Sequence, residues 1–138
     1  MTTTTTNTTG QEMTADEKLR KALATQVNAA KERYKDELTA FLAAAQSAPV
    51  DAIARRTEDL AKAQVRHEVW LTIERELAEH DPWEVLAENL NDCRSRVLAF
   101  LRGRHSNDMV AAAVDRAQVA ALARQVELLE ELTKRFKA

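Results

Sequence analysis

The stretch Thr14–Gln46, TADEKLRKALATQVNAAKERYKDELTAFLAAAQ, decides the fold class. Apolar or aromatic side chains recur in it at Leu19, Leu23, Val27, Ala30, Tyr34, Leu38, Phe41 and Ala45. The steps alternate between four and three and average about 3.7 residues, close to the α-helical period. One continuous stripe on one long, nearly straight helix follows. Thr14 and Glu17 stand at the spacing of a capping box, in which hydroxyl and carboxylate cover free backbone N–H groups at the helix start. The helix is expected to end near Gln46.

The same pattern repeats outward. Ser47, Ala48 and Pro49 mark a second start, with Pro49 suited to the first helical position and a helix running to about Glu79. Its apolar residues are Val50, Ile53, Leu60 and Ala61, then Val65, Val69, Trp70, Ile73 and Leu77. Steps of four from Ala61 to Leu77 turn the apolar face by about 40° each. This helix therefore wraps across its neighbours, bends, or buries a second face against a partner. Asp81, Pro82 and Glu84 supply cap, first and third positions of a third helix. Its stripe is Trp83, Leu86, Leu90, Cys93, Val97, Phe100 and Leu101, and Gly103 is expected to stop it in a left-handed conformation. Ser106 or Asn107 caps a fourth helix carrying Val110, Val114, Ala117, Ala121, Leu128, Leu132 and Phe136, flanked by Leu122, Val126 and Leu129.

Residues 1–13 are Thr-rich and have no apolar period, so a disordered tail is expected there. Residues 14–138 form one helical domain. Short connections make successive helices antiparallel. The expected architecture is an all-α, up-down-up-down four-helix bundle or paired long helical hairpins. Glu74, Glu76, Glu79, Asp81, Glu84 and Glu88 would then share one end of the bundle with Lys18, Arg20, Lys21, Lys134, Arg135 and Lys137, and opposite charges would meet there.

Composition narrows the function. Apolar residues make up 45% of the 138 residues and charged residues 30%, a globular balance. The net charge of -2 gives no global attraction to nucleic acid or to an anionic membrane. No apolar run approaches the roughly 20 residues of a membrane span, and the N-terminus lacks the basic start and apolar core of a signal peptide. One cysteine, Cys93, fits a reducing compartment. A cytoplasmic location is expected. The excess of Ala, and of Arg over Lys, resembles the composition of high-GC bacteria and their phages.

Few residues suggest chemistry. Glu76 and His80 share a helix face, but no second histidine has metal-ligand spacing. The Glu-x-x-His pairs of di-iron bundles are absent, since Gln64, Leu77 and Arg102 precede the three histidines at that distance. Cys93 lies on an apolar stripe and reads as a buried, inert thiol. Gln64, Gln118 and Gln125 lie near apolar faces as candidates for buried polar contacts. No catalytic residue, metal ligand or cofactor is expected, and the chain is not expected to be an enzyme.

Binding is the expected activity: a non-enzymatic accessory or assembly factor that recognises another protein and forms an oligomer, a dimer first. The candidate surface is Val69, Trp70, Ile73 and Leu77, with Trp83 as an anchor and Glu76 and Glu79 as contacts for a basic partner. These two glutamates sit at a helix C-terminus, where negative charge is unfavourable. The alternative is a nucleic-acid-associated regulator using Arg94, Arg96, Arg102, Arg104 and His105. Around them, Ala99, Gly103 and Met109 resemble the small residue, turn glycine and later apolar position of a DNA-binding helix-turn-helix. Arg104 departs from that pattern at a normally apolar position. Cations at a helix end also complement its negative pole without any ligand.

Overall fold

The computed structural model describes residues 13–47, 49–103 and 109–137, with side chains throughout except at 109–111. Four helices account for nearly all of them: α1 (Ala15–Ser47), α2 (Val50–Leu77), α3 (Pro82–Arg102) and α4 (Met109–Lys137). The fold is an all-α bundle, with no strand among the described residues. The Thr-rich tail to residue 12 and the caps expected at Ser106 and Asn107 lie outside the described residues.

Local chemistry sets the boundaries. The Glu17 N–H donates to Thr14 Oγ1 at 3.1 Å, and the Thr14 hydroxyl donates to Glu17 Oε1 at 3.1 Å. The box is therefore closed between the two side chains, and the carboxylate does not reach back to the backbone. Pro49 sits one position earlier than expected, as the N-cap of α2, with no side-chain cap bond. Asp81 Oδ2 accepts from the N–H groups of Trp83 and Glu84, at 3.1 and 3.2 Å, and Pro82 follows at the first position. Gly103 corrects an expectation. It ends α3 with φ -74° and ψ 165°, an extended conformation, not a left-handed one. Its glycine identity answers to space instead: a Cβ there would lie 3.1 Å from the Ala99 carbonyl oxygen.

The helices pair unequally. α1 packs most extensively along α2, and α2 and α3 each pack on α4, whereas α1 meets α3 and α4 only sparingly. The arrangement is two antiparallel hairpins, α1–α2 and α3–α4, joined chiefly where α2 lies against α4. Those two helices run in the same sense. α2 shows one line to α1, where His67 stacks on Tyr34 and Glu74 meets Lys31 at 2.9 Å. Another line, through Asp59, Ala63 and Arg66, faces Ala120, Ala121 and Arg124 of α4. The rotating apolar face of α2 is thus explained by two neighbours within one chain.

The charged end is built differently from the expectation. α1's start, α2's end and α3's start do share it, but Arg20 donates to the backbone carbonyls of Leu77 and His80 rather than to a carboxylate. The last carbonyls of α2 have no partner within the helix and are strong acceptors for a guanidinium. Of the six expected acids only Glu74 forms an ion pair among the described residues, with Lys31.

The core is continuous. Leu19, Leu23 and Val27 of α1 meet Val69, Trp70 and Ile73 of α2, Val85 and Leu86 of α3, and Leu122 and Leu129 of α4. Two polar side chains are buried with them. Asn89 is satisfied, donating to Glu76 Oε1 at 2.7 Å and to the Val85 carbonyl at 2.8 Å. Gln125 is fully buried, and neither its oxygen nor its nitrogen has a hydrogen-bond partner among the described residues. Leaving a buried polar group unpaired costs about 1–3 kcal/mol. Replacing Gln125 by methionine, of similar length and shape, is therefore expected to raise the unfolding free energy by about 1–3 kcal/mol. Urea denaturation of the two proteins checks this, and a loss of stability would show that the amide is satisfied.

Candidate functional site

The apolar patch expected on α2 is interior. Val69, Trp70 and Ile73 are 4%, 1% and 0% exposed. They form the centre of the core and offer no surface to a partner, because α1 and α4 already cover both sides of α2. Leu77 and Trp83 are half-buried against the same core. Trp83 Nε1 donates to Asp16 Oδ1 at 3.0 Å, tying α3 to the start of α1. Glu76 is engaged by Asn89. Glu79 alone of that set is both exposed and without a side-chain bond among the described residues.

The described part of the basic segment is dispersed. Arg94 is paired with Glu130 at 2.7 Å, Arg96 is half-buried and Arg102 is exposed at the end of α3. Arg104 and His105 lie outside the described residues. The two flanking helices lie antiparallel along the length of α3. Trp83 and Lys137 line one groove between them, Arg94 meets Glu130 midway, and Phe100 faces Val119 further on. A helix-turn-helix instead crosses its helices at about 90–120°. Among the described residues, no group of three His, Cys, Asp or Glu stands close enough to hold a metal ion.

Two features come forward in place of those expectations. The first is an arm. Buried residues stop at Ala30 on α1 and begin at Ala63 on α2. The hairpin continues beyond, through Tyr34–Ser47 and Val50–Lys62, and the apolar stripe continues with it. Leu38, Leu42 and Val50 are exposed there, Leu42 at 55% and Val50 at 80%. The Tyr34–His67 stack, with ring centroids 4.6 Å apart and planes at 9°, marks where the core gives way to the arm. At the same end, Leu98 and Leu101 of α3 are exposed. A groove of about 470 Å³ lies between α3 and α4 there, lined by Phe100, Leu101, Val119 and Ala120.

The second is a basic cleft of about 240 Å³. Arg33 of α1, Lys62 and Arg66 of α2 and Arg124 of α4 line it, over a floor of Ala63, Ala120 and Ala121, with Asp59 as the one acid. Arg33 pairs with Glu37 and Arg124 with Glu127, each at 3.3 Å. Lys62 and Arg66 form no ion pair among the described residues. Burial, then Arg33, then Arg124 lower the pKa of Arg66. The only trace of the cleft in the sequence is Lys62 and Arg66 at i, i+4, a like-charge pair that weakens a helix; the other two arginines arrive through tertiary packing.

Cys93 is buried, 1% exposed, and burial first, then Asp92, push its thiol up to about 11, against a smaller opposing effect of Arg96. No helix among the described residues is long and apolar enough to cross a membrane. Comparison with family models, with characterised proteins and with solved structures finds no match to this chain.

The thiol sets a pH dependence. In the unfolded chain it ionises near its ordinary value of 9.0, and in the folded protein only near 11. The folded state keeps its proton longer, so the stability this provides is whole below pH 9 and is lost as pH rises to 11. The expected loss is roughly 2–3 kcal/mol across that window, at about 1.4 kcal/mol per unit. Denaturant titrations between pH 8 and 11 should show this extra slope in the native sequence and lack it in Cys93→Ala. Iodoacetamide at pH 8 should label the folded protein far more slowly than the unfolded one.

Proposed function

We infer that the chain is a non-enzymatic interaction protein, an accessory or assembly factor, that works by presenting the α1–α2 arm to another protein. A second copy of the chain is the first occupant of that surface. The observation that carries this reading is the apolar stripe of α1, which outlasts the core it serves. Leu19, Leu23 and Val27 are covered by the chain itself, whereas further along Leu38 is exposed, Phe41 is only half-buried and Leu42 beside it is exposed. Exposed apolar surface that keeps a helical period is what a partner helix needs.

The charge of the arm favours a copy of itself. Lys35, Arg55, Arg56 and Lys62 nearly balance Asp36, Glu37, Asp51, Glu58 and Asp59. Two arms therefore meet without net repulsion, and four amphipathic helices together can close a small core that two leave open. The buried, unbridged Cys93 fits a reducing compartment, which supports a cytoplasmic setting.

Light scattering of the purified protein tests the reading. A dimer is expected, and the double variant Leu42→Lys, Val50→Lys should be a monomer with unchanged thermal stability in its body. A native chain that stays monomeric at every accessible concentration rejects a second copy as the occupant. A dimer indifferent to both substitutions moves the contact away from the arm.

A further inference from the structure

Bringing Arg33, Arg66 and Arg124 together gains nothing for folding. Three guanidinium groups from three helices face one cleft, joined by Lys62, against a single lining acid, Asp59. Arg33 and Arg124 each lean on an acid of their own helix, Glu37 and Glu127, and both those pairs are partly solvated. Arg66 has no such relief. Its Nε is buried and has no hydrogen-bond partner among the described residues. A buried N–H of a cation without an acceptor is unfavourable, and like charges beside it add to the cost. Such conflicts are expected at functional or strained sites.

The chemistry of that ligand follows from the donors. Guanidinium forks match the paired oxygens of phosphate, and a lysine adds a point charge. The floor is alanine, so an anion can settle deep between α2 and α4. The shape matters as much as the charge. The cations surround one compact cleft and do not form a row, whereas an extended nucleic-acid backbone is followed by a stripe of them. Arg94, on α3, is taken up by Glu130 and adds nothing to the site.

We propose that this cleft is a binding site for a compact phosphate anion, either a free phosphate or diphosphate ion or the diphosphate of a nucleotide. Arg66 donates from its guanidinium, Arg33 and Arg124 close on the oxygens from either side, and Lys62 neutralises the remaining charge. Asp59 opposes the anion and limits its affinity. The site shares Asp59 and Lys62 with the base of the arm but does not rest on self-association.

A nuclear magnetic resonance titration of the full chain tests it, with pyrophosphate and ADP as probes and sodium chloride at matched ionic strength as the control. The expected result is a saturable, one-site movement of the Arg66 Nε–H resonance with pyrophosphate, ADP or both. Pyrophosphate binding identifies a free anion as sufficient; binding of ADP alone assigns the diphosphate to a nucleotide. Arg66→Gln and Arg124→Gln should each weaken binding about tenfold or more, the loss of a charged hydrogen bond. Arg124 is on the solvent side of the cleft, so its substitution leaves the core intact and keeps the test valid if Arg66→Gln disturbs packing. Asp59→Asn should tighten binding, and Arg94→Gln should leave it unchanged. Shifts that chloride reproduces, or saturable shifts that survive both Arg66→Gln and Arg124→Gln, overturn the proposal.

Discussion

Helix α2 has to hide apolar side chains on two sides at once, and the rest of the molecule is arranged around that requirement. Val65, Val69, Trp70 and Ile73 sweep around its axis, because steps of four residues overshoot a helical turn. A single neighbour cannot cover such a surface. α1 takes one side and α4 the other, so α2 and α4, parallel after two antiparallel turns, pack directly on one another, as a regular up-down-up-down ring would not require. Truncating Trp70 in this position would leave a cavity shared by several helices, and large-to-small changes of that kind cost about 3–5 kcal/mol.

The difference in helix length then shapes the surface. α1 has 33 residues and α3 has 21, so at about 1.5 Å per residue the first hairpin outruns α3 by some 18 Å. α3 does not reach its far part, where Leu38, Leu42 and Val50 stay exposed. The polar end of the bundle is closed by specific bonds: Arg20 on the Leu77 and His80 carbonyls, Asp81 capping α3, and Trp83 holding Asp16. Apolar exposure is thus concentrated at the opposite end, where a partner can reach it.

Much of this was legible from residue spacing. The starts of α1 and α3 follow from Thr14 and Asp81, and the helix ends fall within two residues of the expected positions, because capping and proline chemistry are local. The failures are equally physical. Gly103 stops α3 as expected but in an extended conformation, since glycine permits several backbone states and its identity alone does not choose among them. Val69, Trp70 and Ile73 looked available because periodicity says which face is apolar, not which helix covers it. Of the three glutamines near apolar faces, Gln125 is buried, Gln118 is half-buried and Gln64 is exposed, a difference set by rotation of less than a turn. The Arg33–Lys62–Arg66–Arg124 cleft joins residues from three helices, so no window of sequence contains it. The basic run Arg94–His105 was conspicuous in sequence, and its described members are spread: Arg94 pairs with Glu130, Arg96 is half-buried and Arg102 is exposed at the end of α3.

Core and arm make opposite demands on their environment, and hydrogen exchange separates them directly. The amides of 19–30 and 63–77 lie under a core the chain completes alone, whereas those of 34–47 and 50–60 lie in the arm, which under the proposed function a second copy covers. Exchange measured at low and high protein concentration should show the first group protected equally at both and the second group protected only at the higher one. Protection of 34–47 and 50–60 that matches the core at every dilution would contradict this account, because it would mean that the arm is held by its own chain.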